Sequence, residues 1–310
     1  MALTRRQLLM VKLETTYGTS AAATGTDALL VLDPKLTPLD AQILEREVID
    51  PSFGRVRPRI LAQRKMSLQF GVEATGSGTA GTAPKFGPLF QACGMSAATV
   101  ASTSVTYSFV TPATDSVTLY HNWDGNKHEG VGARGTFDLA MTAGEIPRFN
   151  FDMQGIYVAP SDVAFPTPTY TNQAAPVEVS AANTATVSIA GFSACLAEFT
   201  MQAGNKIEFF DHAGCTKQVR ITDRMVEGSL TIERPDALST KDFYALAIAG
   251  TTGAINVVHG PAGSRMTINV PTANFGPPEP ADIKGIAGLK IPFVALHTAG
   301  SSDEATIAFT

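Results

Sequence analysis

Arg64-Lys65-Met66-Ser67-Leu68-Gln69-Phe70 alternates polar and apolar side chains, the two-residue period of a half-buried strand. Downstream, Phe86, Leu89, Phe90 and Ala92 form a short helical stretch closed by Gly94. The same plan returns later in the chain. Glu227-Gly228-Ser229-Leu230-Thr231-Ile232 repeats the strand, and Phe243, Leu246 and Ala249 repeat the helical stretch, closed by Gly250. Each half then ends in a strand with an Ile-Pro start: Ile146-Pro147, Phe149, Phe151 and Gly155 in the first, Ile291-Pro292, Val294, Leu296 and Gly300 in the second. Alternation alone recurs by chance between any two half-exposed strands. The fixed order of strand, glycine-closed helix and Ile-Pro strand, given twice, predicts a duplicated β-rich unit. Phe86, Leu89, Phe90, Phe243 and Leu246 are the expected packing residues of the two helices.

Composition fits that reading. The 310 residues suffice for two domains of ordinary size, and only 16% are charged. Abundant small and hydroxyl residues suit sheets and turns better than long surface helices. A net charge of −5 argues against a nucleic-acid binder that works by phosphate neutralisation. Cys93, Cys195 and Cys215 are odd in number and form no CxxC pair, so neither a disulfide framework nor a thiolate metal site is indicated; assembly in a reducing cytoplasm fits. Thr4-Arg5-Arg6 resembles a twin-arginine export start, but Lys12 and Glu14 interrupt the apolar run that such a signal needs. The uncharged stretch from Phe86 to Thr114 is too broken by Gly, Ser and Thr for a membrane span.

Four segments follow: an N-terminal arm and loop over residues 1–27, a first β domain over 28–160, a Pro-rich linker over 161–176 and a second β domain over 177–310. Leu8 to Glu14 is expected to be an ordered arm, freed by the small-residue loop from Tyr17 to Asp27 to reach away from its domain. Ala28 to Leu36 and Gln42 to Ile49 read as strands, and Ser104 to Val110 and Ser116 to Trp123 as a pair. Ser239 is the expected N-cap of the second helix, with Asp242 three residues on. Between Glu45 and Arg64, interrupted by Pro51, Gly54 and Pro58, most of the chain reads as a projecting loop. Glu45, Glu47 and Asp50 lie at one end of it and Arg55, Arg57, Arg59 and Arg64 at the other.

Catalytic chemistry finds little footing. Gly76-Ser77-Gly78-Thr79-Ala80-Gly81-Thr82 has the composition of a phosphate loop but lacks the Lys-Ser/Thr pair that supplies charge and hydroxyl. His121, Asp124 and His128 share a hairpin, yet their spacing matches no metal-ligand pattern, and His212 with Cys215 is a weaker pair still. There is no Gly-x-Ser-x-Gly elbow, and Cys93 ends an apolar helix, where a buried structural thiol is expected. No enzyme activity and no cofactor or metal are expected.

Several stretches taken in order resemble one known family. Leu13-Glu14-Thr15-Thr16-Tyr17-Gly18-Thr19, Leu44-Glu45-Arg46-Glu47-Val48-Ile49, Ala133-Arg134-Gly135-Thr136 and Ala143-Gly144-Glu145-Ile146-Pro147 are similar to segments of the major tail tube proteins of long-tailed bacteriophages. So are Met266-Thr267-Ile268-Asn269-Val270-Pro271-Thr272-Ala273 and Gly285-Ile286-Ala287-Gly288-Leu289-Lys290-Ile291-Pro292-Phe293. The resemblance covers most of the chain through the order of unspecific motifs. It implies a mainly β protein: two tandem tail-tube-like β-sandwich or partly closed β-barrel domains, each with a short flanking α-helix. It further implies a structural virion protein, assembled in the host cytoplasm, whose rings stack into the tube through which double-stranded DNA is ejected. Its partners would be itself, tail-tip or baseplate and tail-terminator proteins, and a tape measure protein in the lumen, with no membrane. Joined to the duplication, it implies trimeric rings with pseudo-sixfold symmetry; a hexamer with an added outer domain is the other possibility. Glu45, Glu47, Asp50, Arg55, Arg57, Arg59 and Arg64 are the expected ring-to-ring contacts. A carbohydrate-binding or adhesive β-repeat module is the alternative function, for which Trp123, Tyr120, Tyr157 and Tyr170 are the candidate platforms.

Overall fold

The computed structural model describes residues 3–46, 48, 49, 51 and 57–310. The chain starts with β1 (Gln7–Leu13) and β2 (Ala28–Leu29), then β3 (Leu32–Leu44) and β4 (Ile60–Glu73), α1 (Gly87–Ala92), β5 (Met95–Val100), β6 (Ser104–Phe109), β7 (Val117–Trp123), β8 (Asn126–Thr142) and β9 (Arg148–Asp162). A stretch without strands crosses to β10 (Thr184–Ile189), β11 (Phe192–Ser193), β12 (Leu196–Gln202), β13 (Asn205–Phe210), β14 (Gln218–Arg224) and β15 (Glu227–Glu233). There follow α2 (Phe243–Ala249), β16 (Thr252–His259), β17 (Met266–Phe275), β18 (Glu279–Ile283), β19 (Ile286–Ala295) and β20 (Thr306–Phe309). The protein is mainly β, a partly closed sandwich with one short helix in each half.

Antiparallel pairing runs without a break through β3, β4, β9, β8, β12, β15, β19 and β18. The opposing layer runs through β5, β6, β20, β17, β16, β10 and β11. Directly opposed residues share a face, so the alternation at Met66, Leu68 and Phe70 propagates across the first layer as Met153, Phe151 and Phe137, then Phe199, Leu230 and Ile291, all buried. Against them pack Tyr107, Ile307, Phe309, Ile268 and Val257 from the second layer, making one hydrophobic core that runs through both halves of the chain. Pro34 and Pro38 are tolerated in β3 because its outer side pairs with no described strand.

Both halves share a pairing plan: β3 flanks β4 and β4 pairs β9, as β12 flanks β15 and β15 pairs β19. Leu68 opposes Met153 and Leu230 opposes Ile291, so the register sets Ile291 against Met153 rather than Ile146. Ile146-Pro147 lies in the turn before β9, whereas Ile291-Pro292 lies inside β19; that part of the sequence match is coincidental.

Local readings change where tertiary contacts compete. The strand expected to reach Ile49 stops at Leu44, where its pairing with Ile60 ends, and β3 is one strand rather than two. Ile60 to Arg64 belongs to β4 and not to the loop. The N-terminal arm does not reach away: β1 pairs with β7 along its length, Leu8 to Val11 are buried, and the Glu14 carboxylate accepts from Gly18 N, Ser116 Oγ, Thr118 Oγ1 and Gly132 N at 2.7–2.8 Å. β6 and β7 do not pair with each other; β6 sits between β5 and β20, and β7 between β1 and β8. The cap of α2 is Asp242, which accepts from Ala245 N at 2.9 Å, not Ser239.

Candidate assembly surfaces

The arms of β3 and β4 carry the residues singled out for ring contact. Glu45 and Arg59 come together across the hairpin at 3.0 Å, an exposed pair of the kind that contributes little stability. Arg57 is exposed beside them, Arg64 stands apart on β4, and Glu47, Asp50 and Arg55 lie outside the described residues. Lys65 lies 3.5 Å from Asp40, which also accepts from Ser67 Oγ at 3.2 Å. Apolar side chains stand beside these charges. Ile43 opposes Leu61 and Leu44 opposes Ile60, and successive pairs face opposite sides, so both faces of the hairpin are apolar. All four are exposed, as are Val48 and Ile49, at the end of the hairpin away from the core that Leu68 and Phe70 enter. The signal was present in the sequence as apolar residues flanking the charges.

The second half carries a comparable hairpin, and it is docked. β12 leads through Gly204 into β13, and β14 leads back into β15; the β13–β14 ribbon lies against β8 and β9 of the first half. Val219 is buried there: its N–H donates to Tyr17 Oη at 2.6 Å, and its carbonyl accepts from Arg134 Nη1 at 2.8 Å. Arg134 also donates to the carbonyls of Asp115 and Thr114 and stacks on the Tyr17 ring, 4.8 Å from its centroid. Burial raises the Tyr17 pKa and lowers that of Arg134. Asn205 Nδ2 donates to the carbonyls of Cys93, at 2.7 Å, and Gly135, at 3.0 Å. Arg224 pairs with Glu304 at 2.7 Å and lies over Phe109. Together with the β8–β12 and β6–β20 ladders, these contacts make the seam between the halves.

The outer face of the eight-stranded layer is polar. Lys35, Gln69, Asp152 and Thr136 stand in one row across it, and Asn150, Asp138, Gln202 and Glu227 in another. Arg148, Thr200 and Ser229 follow on the same face, as do Glu198, Thr231, Lys290 and Glu279. Acids outnumber bases, and hydroxyl and amide groups separate them. Burial and the neighbouring Asp152 raise the Asp138 pKa.

The glycine-rich stretch, His121, His212 and Cys93 have structural partners. Gly76 and Gly78 donate their N–H groups to Ser264 and Gly263, which makes the glycine-rich stretch a clamp on the β16–β17 turn. Asp124 accepts from Arg6 Nη1 at 2.7 Å and Leu3 N at 2.6 Å, and His121 Nε2 lies 3.0 Å from Gln7 Oε1. His212 packs edge-on against Phe210, and burial pushes the Cys93 thiol up and away from the reactive thiolate. Among the described residues, no group of three or more His, Cys, Asp or Glu could hold a metal ion, and no helix is long and apolar enough to cross a membrane. Tyr120 is buried and Tyr157 half-buried, so the four aromatics form no exposed platform.

No curated protein matches this sequence. Residues 4–308, nearly the whole chain, match the profile of the family described as phage tail tube protein. A mainly β structure whose outer strands pair on one side only among the described residues agrees with that match, and the chain belongs to the phage tail tube protein family.

Proposed function

We propose that this chain polymerises as trimeric, pseudo-hexameric rings that stack into the tail tube, the conduit for double-stranded DNA leaving the virion. The observation that carries this is the eight-stranded layer, in which β3, β4, β9 and β8 are joined to β12, β15, β19 and β18 through the β8–β12 ladder. Its outermost strands, β3 and β18, bring unpaired edges that a neighbouring copy can extend. Pro34, Pro38 and Pro280 limit that ladder to short runs, which leaves other contacts to set the ring. Three copies would close roughly 24 strands; at about 4.8 Å spacing and about 40° tilt the backbone diameter is about 48 Å, against about 32 Å for two copies. Only the wider bore leaves ample room for a hydrated duplex once side chains line it.

The polar face of that layer lines the bore. Asp138, Asp152, Glu198, Glu227 and Glu279 face Lys35, Arg148 and Lys290 there, so DNA meets no continuous basic surface and gains little by counterion release. A tape measure protein would occupy the same lumen before ejection, and tail-tip and terminator proteins would meet the two tube ends. The loop with Glu45, Glu47, Asp50, Arg55, Arg57 and Arg59 makes the contact between rings, flanked by Arg64. Assembly takes place in the host cytoplasm, and the protein is structural rather than enzymatic.

Electron microscopy of the purified chain tests this. Tubes with a regular axial repeat and three chains per ring are expected; six chains per ring would remove the pseudo-sixfold arrangement, and persistent monomers would remove the tube. Reversing Arg55, Arg57 and Arg59 to Glu should leave a folded protein that does not stack, and normal tubes from that variant would rule the loop out as the ring contact.

A further inference from the structure

The two long hairpins differ in cover: the second is docked on an α-helix end, and the described arms of the first carry exposed aliphatic side chains. Strand register makes them comparable residue by residue. With Leu68 set against Leu230, Ala62 falls on Arg224; Ala62 pairs with Gln42, and Arg224 pairs with Asn205. Beyond these pairs Leu44 opposes Ile60 as Ile207 opposes Ile221; the docked hairpin carries one extra residue there, a bulge that skips Thr222, so the match follows cross-strand pairing rather than a constant offset. Gln42, Leu44 and Ile60 therefore stand where Asn205, Ile207 and Ile221 stand in the docked hairpin, with a carboxamide matched to a carboxamide and aliphatic side chains to aliphatic ones.

The receptors compare in the same way. α1 ends at Cys93 and Gly94, and α2 at Ala249 and Gly250, both glycines in the left-handed region. At the end of α1, Asn205 caps the Cys93 carbonyl, and Ile221 Cδ1 lies 3.5 Å from where a Cβ on Gly94 would stand. At the end of α2, Asn274 Nδ2 donates to the Gly250 carbonyl at 3.4 Å, but nothing lies within 4 Å of the corresponding point on Gly250. Ile248 is 88% exposed, and Tyr244 on the same face is exposed too. An exposed aliphatic hairpin arm and an exposed apolar helix end thus repeat, without the apolar cover, the two partners of a contact already made once in the chain.

We infer that the carboxyl end of α2 is the docking site for the β3–β4 hairpin of a second copy of this chain. Gln42 donates its amide to the Ala249 carbonyl, and Leu44 and Ile60 cover Ile248 and Gly250. The partner is another copy because β3 lies at one outer edge of the eight-stranded layer, whereas α2 belongs to the half at the other. The contact is head-to-tail, and it repeats the relation between the two halves, so successive copies rotate by a near-constant step and close into a ring. The inference deepens the tube reading and rests on it.

Site-directed cross-linking tests it. In a background with Cys195→Ser and Cys215→Ser, which removes the exposed native thiols, one chain carries Ile60→Cys and a second carries Ile248→Cys. A short bismaleimide should give a covalent dimer from the mixture under assembly conditions and none from either chain alone. Tubes that form without this dimer overturn the docking and leave the tube reading standing; a chain that never assembles overturns both. Ile248→Asp supplies the second measurement: with the side chain so exposed, the melting temperature should be unchanged while the concentration needed for assembly rises roughly tenfold or more. Assembly at the unmodified concentration would overturn the proposal.

Discussion

Arg134 is the residue whose role changes most between sequence and structure. In sequence it was one letter of a family-like run; in the fold its guanidinium donates to three backbone carbonyls at the seam while stacking on Tyr17. Truncation leaves those carbonyls without this donor, and Arg134→Ala is expected to cost about 2–4 kcal/mol in denaturant unfolding, with Arg134→Lys restoring only part. His121 gives a pH dependence. Burial, and then the neighbouring His128, lower its pKa to about 4, while the unfolded chain titrates near the ordinary 6.5. Between those values the unfolded state binds the extra proton, so stability is full above about pH 6.5 and falls as pH drops toward 4, by up to about 3 kcal/mol from this one group. Melts at pH 7.5 and 4.5 should differ less in His121→Asn than in the unmodified protein. Neither role was legible in sequence, because the Arg134 contact with Val219 and the burial of His121 both depend on elements brought together by the fold.

At the scale of elements, helix existence and core-facing residues were legible while caps and strand partners were not. Phe90 meets Tyr107, Phe137 and Phe149, each with ring centroids 5.0 Å away, and Phe86 touches Phe309. Phe243 is also buried and, among the described residues, meets the single ring of Phe192. Phe90→Ala should therefore cost about 3–5 kcal/mol and Phe243→Ala fall at the lower end of that range. An unchanged melting temperature in either variant would show the packing assignment to be wrong. Leu246 is half-buried and Ala249 exposed, so only part of the helical stripe in α2 finds a core. The capping carboxylate was visible three residues after Ser239, but whether Ser239 or Asp242 starts the helix is set by where the preceding loop turns. Asp242→Ala is expected to cost about 1 kcal/mol, and Ser239→Ala much less, in the same thermal measurement. The C-terminal strand shows the limit most plainly. β20 is only four residues long, and nothing in Thr306 to Phe309 announces that it pairs with β6, two hundred residues earlier, as well as with β17.

On the scale of the whole molecule, the two-residue alternation determined by itself that the chain is mainly β and which side of its core strands is apolar, and apolar residues at helical spacing closed by glycine marked where two short helices fall. Those properties are local, since a side chain's face on a strand follows from its position parity alone. The order of unspecific motifs added the family resemblance. What only the tertiary structure decided is which edges and which apolar surfaces are left uncovered among the described residues: β3 and β18 outermost, one hairpin seated on α1, the arms of the other exposed, and Ile248 exposed near the carboxyl end of α2. A sequence window records hydrophobicity but not cover. The exposed Ile43, Leu44, Ile60 and Leu61 read like the buried Leu68 and Phe70 of the same hairpin, and only long-range packing separates apolar groups that hold the fold from those left over for a neighbour.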